Sequence, residues 1–212
     1  MAYSRKVPAL VRPLMGDLTW NIKDSRTTVY FTFDDGPHTE ITAEVMQILD
    51  DYQALATFFL VGRRAAENPQ MVNQLLDKGH SIGNHTYTHV NGWKTNNFAY
   101  CRNVLQAEKA MPATRLFRPP YGRITRSQSK ILLKRYQIIM WDVLSGDFDV
   151  KSSASRCAQA VIRNCKSGSI VVFHDSEKAH SRMIPSLKQS LQYLSDKGYS
   201  FLPIPGGQKS NL

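Results

Sequence analysis

The sequence predicts a single α/β domain organised around a parallel sheet. Three observations carry that expectation. Short runs of apolar, β-branched and aromatic residues alternate six or seven times with stretches of helical periodicity, the pattern of successive β-then-α units. The strand-like runs are nearly all apolar, as strands buried on both faces are. No internal repeat, low-complexity tract or linker interrupts the 212 residues, so one core of ordinary domain size serves the chain. Such a sheet is either doubly wound or closed into a barrel.

The elements follow in order. Val29-Tyr30-Phe31-Thr32-Phe33 is the first strand, and residues 41–52 form a helix with Val45, Ile48 and Leu49 on one face. Thr57-Phe58-Phe59-Leu60-Val61 is the second strand. Asn68-Pro69 supplies an N-cap and a proline at the first position of a helix that stops at Lys78-Gly79. Ser81-Ile82-Gly83 is the third strand, residues 96–110 a helix, Leu116-Phe117 the fourth strand, and residues 127–136 another helix. Residues 137–141 make the fifth strand, 153–165 a helix, 169–173 the sixth strand, 185–197 a helix ended by Gly198, and 199–202 a seventh strand. Residues 1–27 read as a short N-terminal extension and 28–205 as the domain.

Composition narrows the setting. With 27 Lys+Arg against 17 Asp+Glu the net charge is +10, which favours acidic partners without bearing on fold. Cys157 and Cys165 lie on one helical segment about 12 Å apart at helical rise, too far to pair. With three cysteines and no readable disulfide framework, the usage leans toward a reducing compartment. The apolar stretch that would follow the basic start is broken by Pro8, Arg12 and Pro13, so neither a secretory leader nor a membrane span is read. The chain as written is expected in the cytoplasm or, where a leader has been removed, in the periplasm or outside the cell.

The chemistry-bearing residues fall where strands end. Asp34 and Asp35 end the first strand, Asn84, His85 and His89 follow the third, and Arg118 follows the fourth. Asp142 and Asp147 follow the fifth, and His174-Asp175 end the sixth. In parallel α/β proteins the carboxyl edge of the sheet is where ligands bind, so residues 140 positions apart are expected on one face. Asp-Gly-Pro alone is a turn signal, but two adjacent carboxylates at a buried strand end repel unless a cation compensates. His85 and His89 are four apart, and on a helical turn both rings face one way, as metal ligands require. With Asp35 they make two nitrogens and one carboxylate, a set for a borderline divalent ion with open positions. Arg118 is placed to hold an Asp, and His174 to act as an acid if a carboxylate such as Asp147 holds its far nitrogen. His38, His80 and His180 sit in polar turn contexts without a matching partner and stay outside the site.

At these residues the sequence resembles the polysaccharide deacetylases with a NodB homology domain, carbohydrate esterase family four. The resemblance runs from about residue 28 to 202, with five family motifs in order: residues 32–37, 85–89, 118–122, the region around Asp147, and 172–174. It implies a distorted (β/α)7 barrel and a metal-dependent hydrolase. The activity implied is removal of acetyl from N-acetylated sugars such as chitooligosaccharide or a peptidoglycan-like glycan. It implies Asp34 as catalytic base, Asp35, His85 and His89 as ligands of one divalent ion, zinc in most members, and Arg118 as the tether of the base. It further implies the Tyr121 N–H as oxyanion donor and His174 as acid, oriented by Asp147, with Asp142 a second acid in the same motif. Phe148 stands where the family commonly has Trp, and Val172 where it commonly has Leu; both bear on the shape of the acetyl pocket.

The same residues admit three other readings. O-acetyl ester cleavage on a xylan-type polysaccharide shares the chemistry. A non-haem Fe(II) oxygenase uses a two-His-one-carboxylate set but leaves Asp34, Arg118 and His174 without tasks. Nucleic-acid binding is raised by eight basic residues and no acid over residues 109–141, yet no helix-turn-helix or aromatic-interleaved signature accompanies them, and no nucleic-acid partner is expected. From the same stretch Arg115, Arg123 and Arg126 are the free positives expected near the site mouth, where they would favour a negatively charged substrate.

Overall fold

A computed structural model describes residues 17–23 and 27–206. Its strands are β1 (Thr28–Asp34), β2 (Thr57–Leu60), β3 (Ser81–Asn84), β4 (Leu116–Phe117), β5 (Gln137–Ile138), β6 (Val143–Leu144), β7 (Ile170–His174) and β8 (Ser200–Phe201). Its helices are α1 (Thr39–Asp51), α2 (Gly62–Glu67), α3 (Pro69–Asp77), α4 (Asn97–Glu108), α5 (Arg126–Leu132), α6 (Ala154–Asn164) and α7 (Glu177–Asp196). The sheet order is β5-β4-β3-β2-β1-β7-β6 with every neighbour parallel, and β8 pairs with the start of β1. This is the curled parallel half-barrel of a distorted (β/α)7 fold.

Period-two alternation divides each central strand between two environments. From β1 and β7, Phe31, Phe33, Val171 and Phe173 join the core that packs under the helices, where Phe33 stacks on Phe58 at 5.0 Å. Tyr30 and Ile170, on the opposite faces, join Phe59, Leu116, Ile139 and Ile204 in a separate cluster. The same alternation carries Thr32 and Asp34, and Val172 and His174, on that second face one and two steps nearer the carboxyl edge. The apolar cluster forms the floor and the polar residues stand above it.

Several elements differ from the sequence expectation, each for a physical reason. The fifth strand ends at Ile138 because the carbonyls of Ile139 and Met140 accept from the Arg118 guanidinium, and the Met140 N–H goes to Thr19. The last helix starts at Glu177, not at 185; Pro185 lies inside it. Burial of Ala179, Met183, Ile184, Leu187, Leu191 and Leu194 along one face outweighs the cost of about 3 kcal/mol for an interior proline. Asn68 precedes α3 but does not cap it; its amide donates to Arg64 O and accepts from Thr39. His85 and His89 stand on an irregular loop, not a helical turn, with Thr86 and His89 both left-handed at φ 62 and 55.

The described part of the extension, residues 17–23, packs against the barrel. Thr19 pairs with Ile139 and Asn21 with Ser169, and Trp20 is buried. Residues 19–22 thus cross from the β5 edge of the sheet to the foot of β7, so the packed unit begins earlier than residue 28. Gly168 permits this crossing: a Cβ there would lie 2.0 Å from Ile22 O, and its φ of +81° is left-handed. Residues 1–16, which hold the basic start of the chain, lie outside the described residues. No described helix is long and apolar enough to cross a membrane.

Candidate active site

Asp34 ends β1 directly beside His174 at the end of β7, and this register fixes the centre of the site. Arg118 enters from the loop after β4 and is wholly buried. Its Nη1 donates to Asp34 Oδ1 at 2.7 Å and to Thr32 Oγ1 at 2.7 Å, its Nε to Ile139 O and its Nη2 to Met140 O. The Phe59 ring lies 4.1 Å from its Cζ. A guanidinium so enclosed serves one orientation of the Asp34 carboxylate. Thr32, which the sequence reading passed over, is part of this anchor; the signal was an inward polar position in an otherwise apolar strand.

Asp35, His85 and His89 converge, with one donor atom from each within 4.8 Å of the others. Asp35 Oδ1 lies 3.2 Å from His89 Nε2 and 3.9 Å from His85 Nε2. The far nitrogens are occupied: His85 Nδ1 bonds Arg118 O at 2.8 Å and His89 Nδ1 the Tyr121 hydroxyl at 3.1 Å. That leaves both Nε2 atoms for an ion, the arrangement in which a second partner fixes the ring of a ligating histidine. Burial lowers His85 to about 4 despite Asp34 and Asp35, so its ring is neutral at pH 7 as a ligand must be. Burial alone would raise Asp35, but the His89 hydrogen bond and the fields of His174 and His85 outweigh it and hold the carboxyl well below the usual range. Two imidazole nitrogens and one carboxylate oxygen fit a divalent cation with positions left open.

Behind this set is a carboxyl group to which the sequence reading gave no role. Asp175 is fully buried, and burial pushes it up to about 7. It accepts from the Gly36 N–H at 3.0 Å and the Thr42 hydroxyl at 2.5 Å. Asp35 itself is left-handed at φ 85, and a Cβ on Gly36 would fall 2.1 Å from Asp175 Oδ2. Asp175 therefore clamps the turn that aims Asp35. Asp175→Ala is expected to weaken divalent-metal binding about 10–100-fold, while Asp175→Asn keeps an acceptor for Gly36 and loses less. Competition with a chromogenic chelator measures both, and unchanged affinity in the Ala variant would remove Asp175 from this role.

On the other flank, His174 Nδ1 meets Asp147 Oδ1 at 2.7 Å, and the His174 N–H donates to Asp147 Oδ2 at 2.8 Å. Burial opposes a charged ring, but the buried Asp147 overrides it and raises His174 to about 9, an imidazolium at neutral pH. The Phe148 ring packs edge-on against His174 at 5.3 Å, and Val172 is buried two residues before it on the same strand face. Asp142, expected at this edge, is not here. It precedes β6, and its carboxylate accepts from Ile170 N–H and Ser169 Oγ at the opposite end of β7. The two-residue β6 between Asp142 and Asp147 separates them to opposite edges of the sheet.

Tyr121 occupies a tight turn over Pro120–Gly122 at φ 61, exposed, with its ring 4.6 Å from His89. Among the described residues its backbone N–H has no hydrogen-bond partner, so a donor is free beside the ligand set. His80 and His180 stay outside the site, as expected, but each has a partner that the sequence did not reveal. His80 is a core residue that accepts from Ala56 N–H and is held at about 4 by burial, and His180 lies on α7 with its Nε2 2.7 Å from Glu44.

Comparison with known proteins places this geometry. The polysaccharide deacetylase profile matches residues 21–136, more than half of the chain. A peptidoglycan-N-acetylglucosamine deacetylase of Bacillus cereus is 33% identical over 195 residues, covering 89% of this chain and 92% of that protein. A chitooligosaccharide deacetylase of Azorhizobium caulinodans is 29% identical over 205 residues, covering 87% and 96%. Among solved structures, the Bc1960 peptidoglycan N-acetylglucosamine deacetylase, in complex with a naphthalenyl N-oxidanyl-benzamide, superposes with a TM-score of 0.84 at 30% identity, covering 92% of this chain and 94% of that one. Fold and sequence thus agree, and the chain belongs to the polysaccharide deacetylase family.

Proposed function

We propose that the protein hydrolyses the N-acetyl group of an acetylated glycan, of the chitooligosaccharide or peptidoglycan class, with zinc as its ion. The observation that carries this reading is the coexistence of two separate carboxylate assignments one residue apart: Asp34 locked to Arg118, Asp35 turned to two histidines. An ion bound by Asp35, His85 and His89 supplies Lewis-acid polarisation of the acetyl carbonyl and acidifies water. Its donor set of two imidazoles and one carboxylate favours zinc over the hard oxygen-seeking cations.

The protein's own groups divide the remaining work. Asp34 accepts a proton as water adds to the acetyl carbon, its lone pairs aimed by Arg118. The Tyr121 N–H donates to the oxygen that gains charge, a contribution of about 3 kcal/mol for such a donor. His174 gives its Nε2 proton to the sugar nitrogen as the carbon–nitrogen bond breaks, leaving acetate and a free amine. Phe148 and Val172 bound the acetyl methyl on the His174 side. Acetate and new primary amine are expected to appear one to one from N-acetylglucosamine oligomers. Acetate release from O-acetyl xylan with none from the amide substrates would overturn the amide reading in favour of the ester.

The His174–Asp147 pair sets the alkaline side of the pH profile. With His174 raised to about 9, the acid form is present at neutral pH, and kcat/KM is expected to fall as pH rises through about 9. Asp147→Asn removes the charge that raises His174, so the same limb should move to lower pH together with a drop in kcat. An alkaline limb unmoved in Asp147→Asn would take His174 out of the acid role.

A further inference from the structure

Beside the ligand set is a cavity of about 230 Å³ lined by Asp35, Val61, Arg63, Arg64, Thr88 and His89. Its walls carry two guanidinium groups against one carboxylate, and that carboxylate is committed to the ligand set. Arg64 is anchored there by a 2.9 Å bond from Nη1 to the Asp35 carbonyl. Among the described residues, the Arg63 side chain has only an exposed contact of 3.8 Å with Glu67, one turn along α2, worth a few tenths of a kcal/mol and easily exchanged. A neutral N-acetylhexosamine chain offers hydroxyls and amides and has no group that calls for two arginines. A carboxylate does, because it matches the guanidinium fork in shape and charge.

The arginines that the sequence singled out, Arg115, Arg123 and Arg126, do not line this cavity. Arg123 lies over the Trp93 ring at 5.1 Å, Arg115 precedes β4 and so stands at the opposite edge of the sheet, and Arg126 opens α5. Arg63 and Arg64 arrive instead on α2, a six-residue helix that the sequence pattern did not reveal.

We propose that this cavity is an anion subsite, and that the preferred substrate is an acidic glycan whose carboxylate, on a unit adjoining the N-acetyl sugar that is cleaved, is received by Arg63 with Arg64 behind it. The proposal rests on the deacetylase reading for the position of the sugar, and its test is one of binding, so that the two can fail separately. The zinc-loaded Asp34→Asn protein, expected to bind with turnover greatly slowed, is titrated calorimetrically with three ligands. These are a tetrasaccharide of alternating N-acetylglucosamine and N-acetylmuramic acid, the same compound with its carboxyls converted to methylamides, and neutral chitotetraose.

The acid is expected to bind about three- to fivefold more tightly than its methylamide, the size of an exposed Arg–carboxylate pair, and the ratio should shrink at high salt. Adding Arg63→Ala should bring the ratio to one and leave chitotetraose binding unchanged. If tightening appears only with a peptide-bearing form of the acid and is again lost in Arg63→Ala, the carboxylate is on the stem peptide and the subsite stands. Equal binding of acid and methylamide, with no gain from the peptide, or a ratio preserved without Arg63, overturns it. Absence of acetate release by the unaltered protein from any of these glycans would instead overturn the deacetylase reading, whatever the binding ratio.

Discussion

Asp34→Asn is expected to lower kcat by about 10²–10⁴-fold, the range for removal of a general base, with metal content unchanged. The amide keeps the shape of the carboxylate and still accepts from Arg118 Nη1, which retains Thr32, Ile139 O and Met140 O as further partners. What it cannot do is take a proton from water at neutral pH. The adjacent change, Asp35→Asn, should instead lower metal occupancy, because Asp35 faces His85 and His89. Steady-state kinetics paired with metal analysis on both variants separates the two carboxylates. Equal metal loss in both would show that their roles are shared.

Arg118→Met is expected to be the most destabilising single change at the site, by about 3–5 kcal/mol, because it strands a buried carboxylate. The guanidinium is fully enclosed, sandwiched against Phe59 and bonded to three backbone or side-chain oxygens besides Asp34. Chemical denaturation measures the loss. A further arm distinguishes charge from packing: Arg118→Met combined with Asp34→Leu removes the stranded charge and should be more stable than Arg118→Met alone. If the double variant is less stable by the sum of the single effects, the ion pair is not the reason for the burial of Arg118.

Much of this architecture was readable before any coordinates. The apolar runs of β1, β2 and β7 are buried on both faces, and such strands announce themselves by composition. Placing the reactive residues at strand ends correctly brought Asp34, Asp35, His85, His89, Arg118, Asp147 and His174 together. The same logic failed for Asp142 because β6 is two residues long, too short for any periodic signal, so the edge to which Asp142 belongs was misread. The six-residue α2 was hidden for the same reason, and with it the two arginines beside Asp35. Asp175 and Thr32 were named as strand residues without roles. What they do depends on which side chains face each other across β1 and β7, 139 positions apart in the chain, and only the register supplies that. The N-terminal segment is legible only as a short extension, because its crossing to Ile139 and Ser169 depends on a glycine at 168 whose contact is tertiary.

One divalent ion on Asp35, His85 and His89 is expected to be needed for deacetylation. The most direct test is to strip the purified protein with chelator and titrate zinc back, following acetate release from N-acetylglucosamine oligomers alongside metal content. No turnover is expected after stripping, and recovery should saturate at one zinc per chain and fail in His85→Ala and His89→Ala. Turnover that persists in the metal-free protein, or recovery that does not require these histidines, would contradict it.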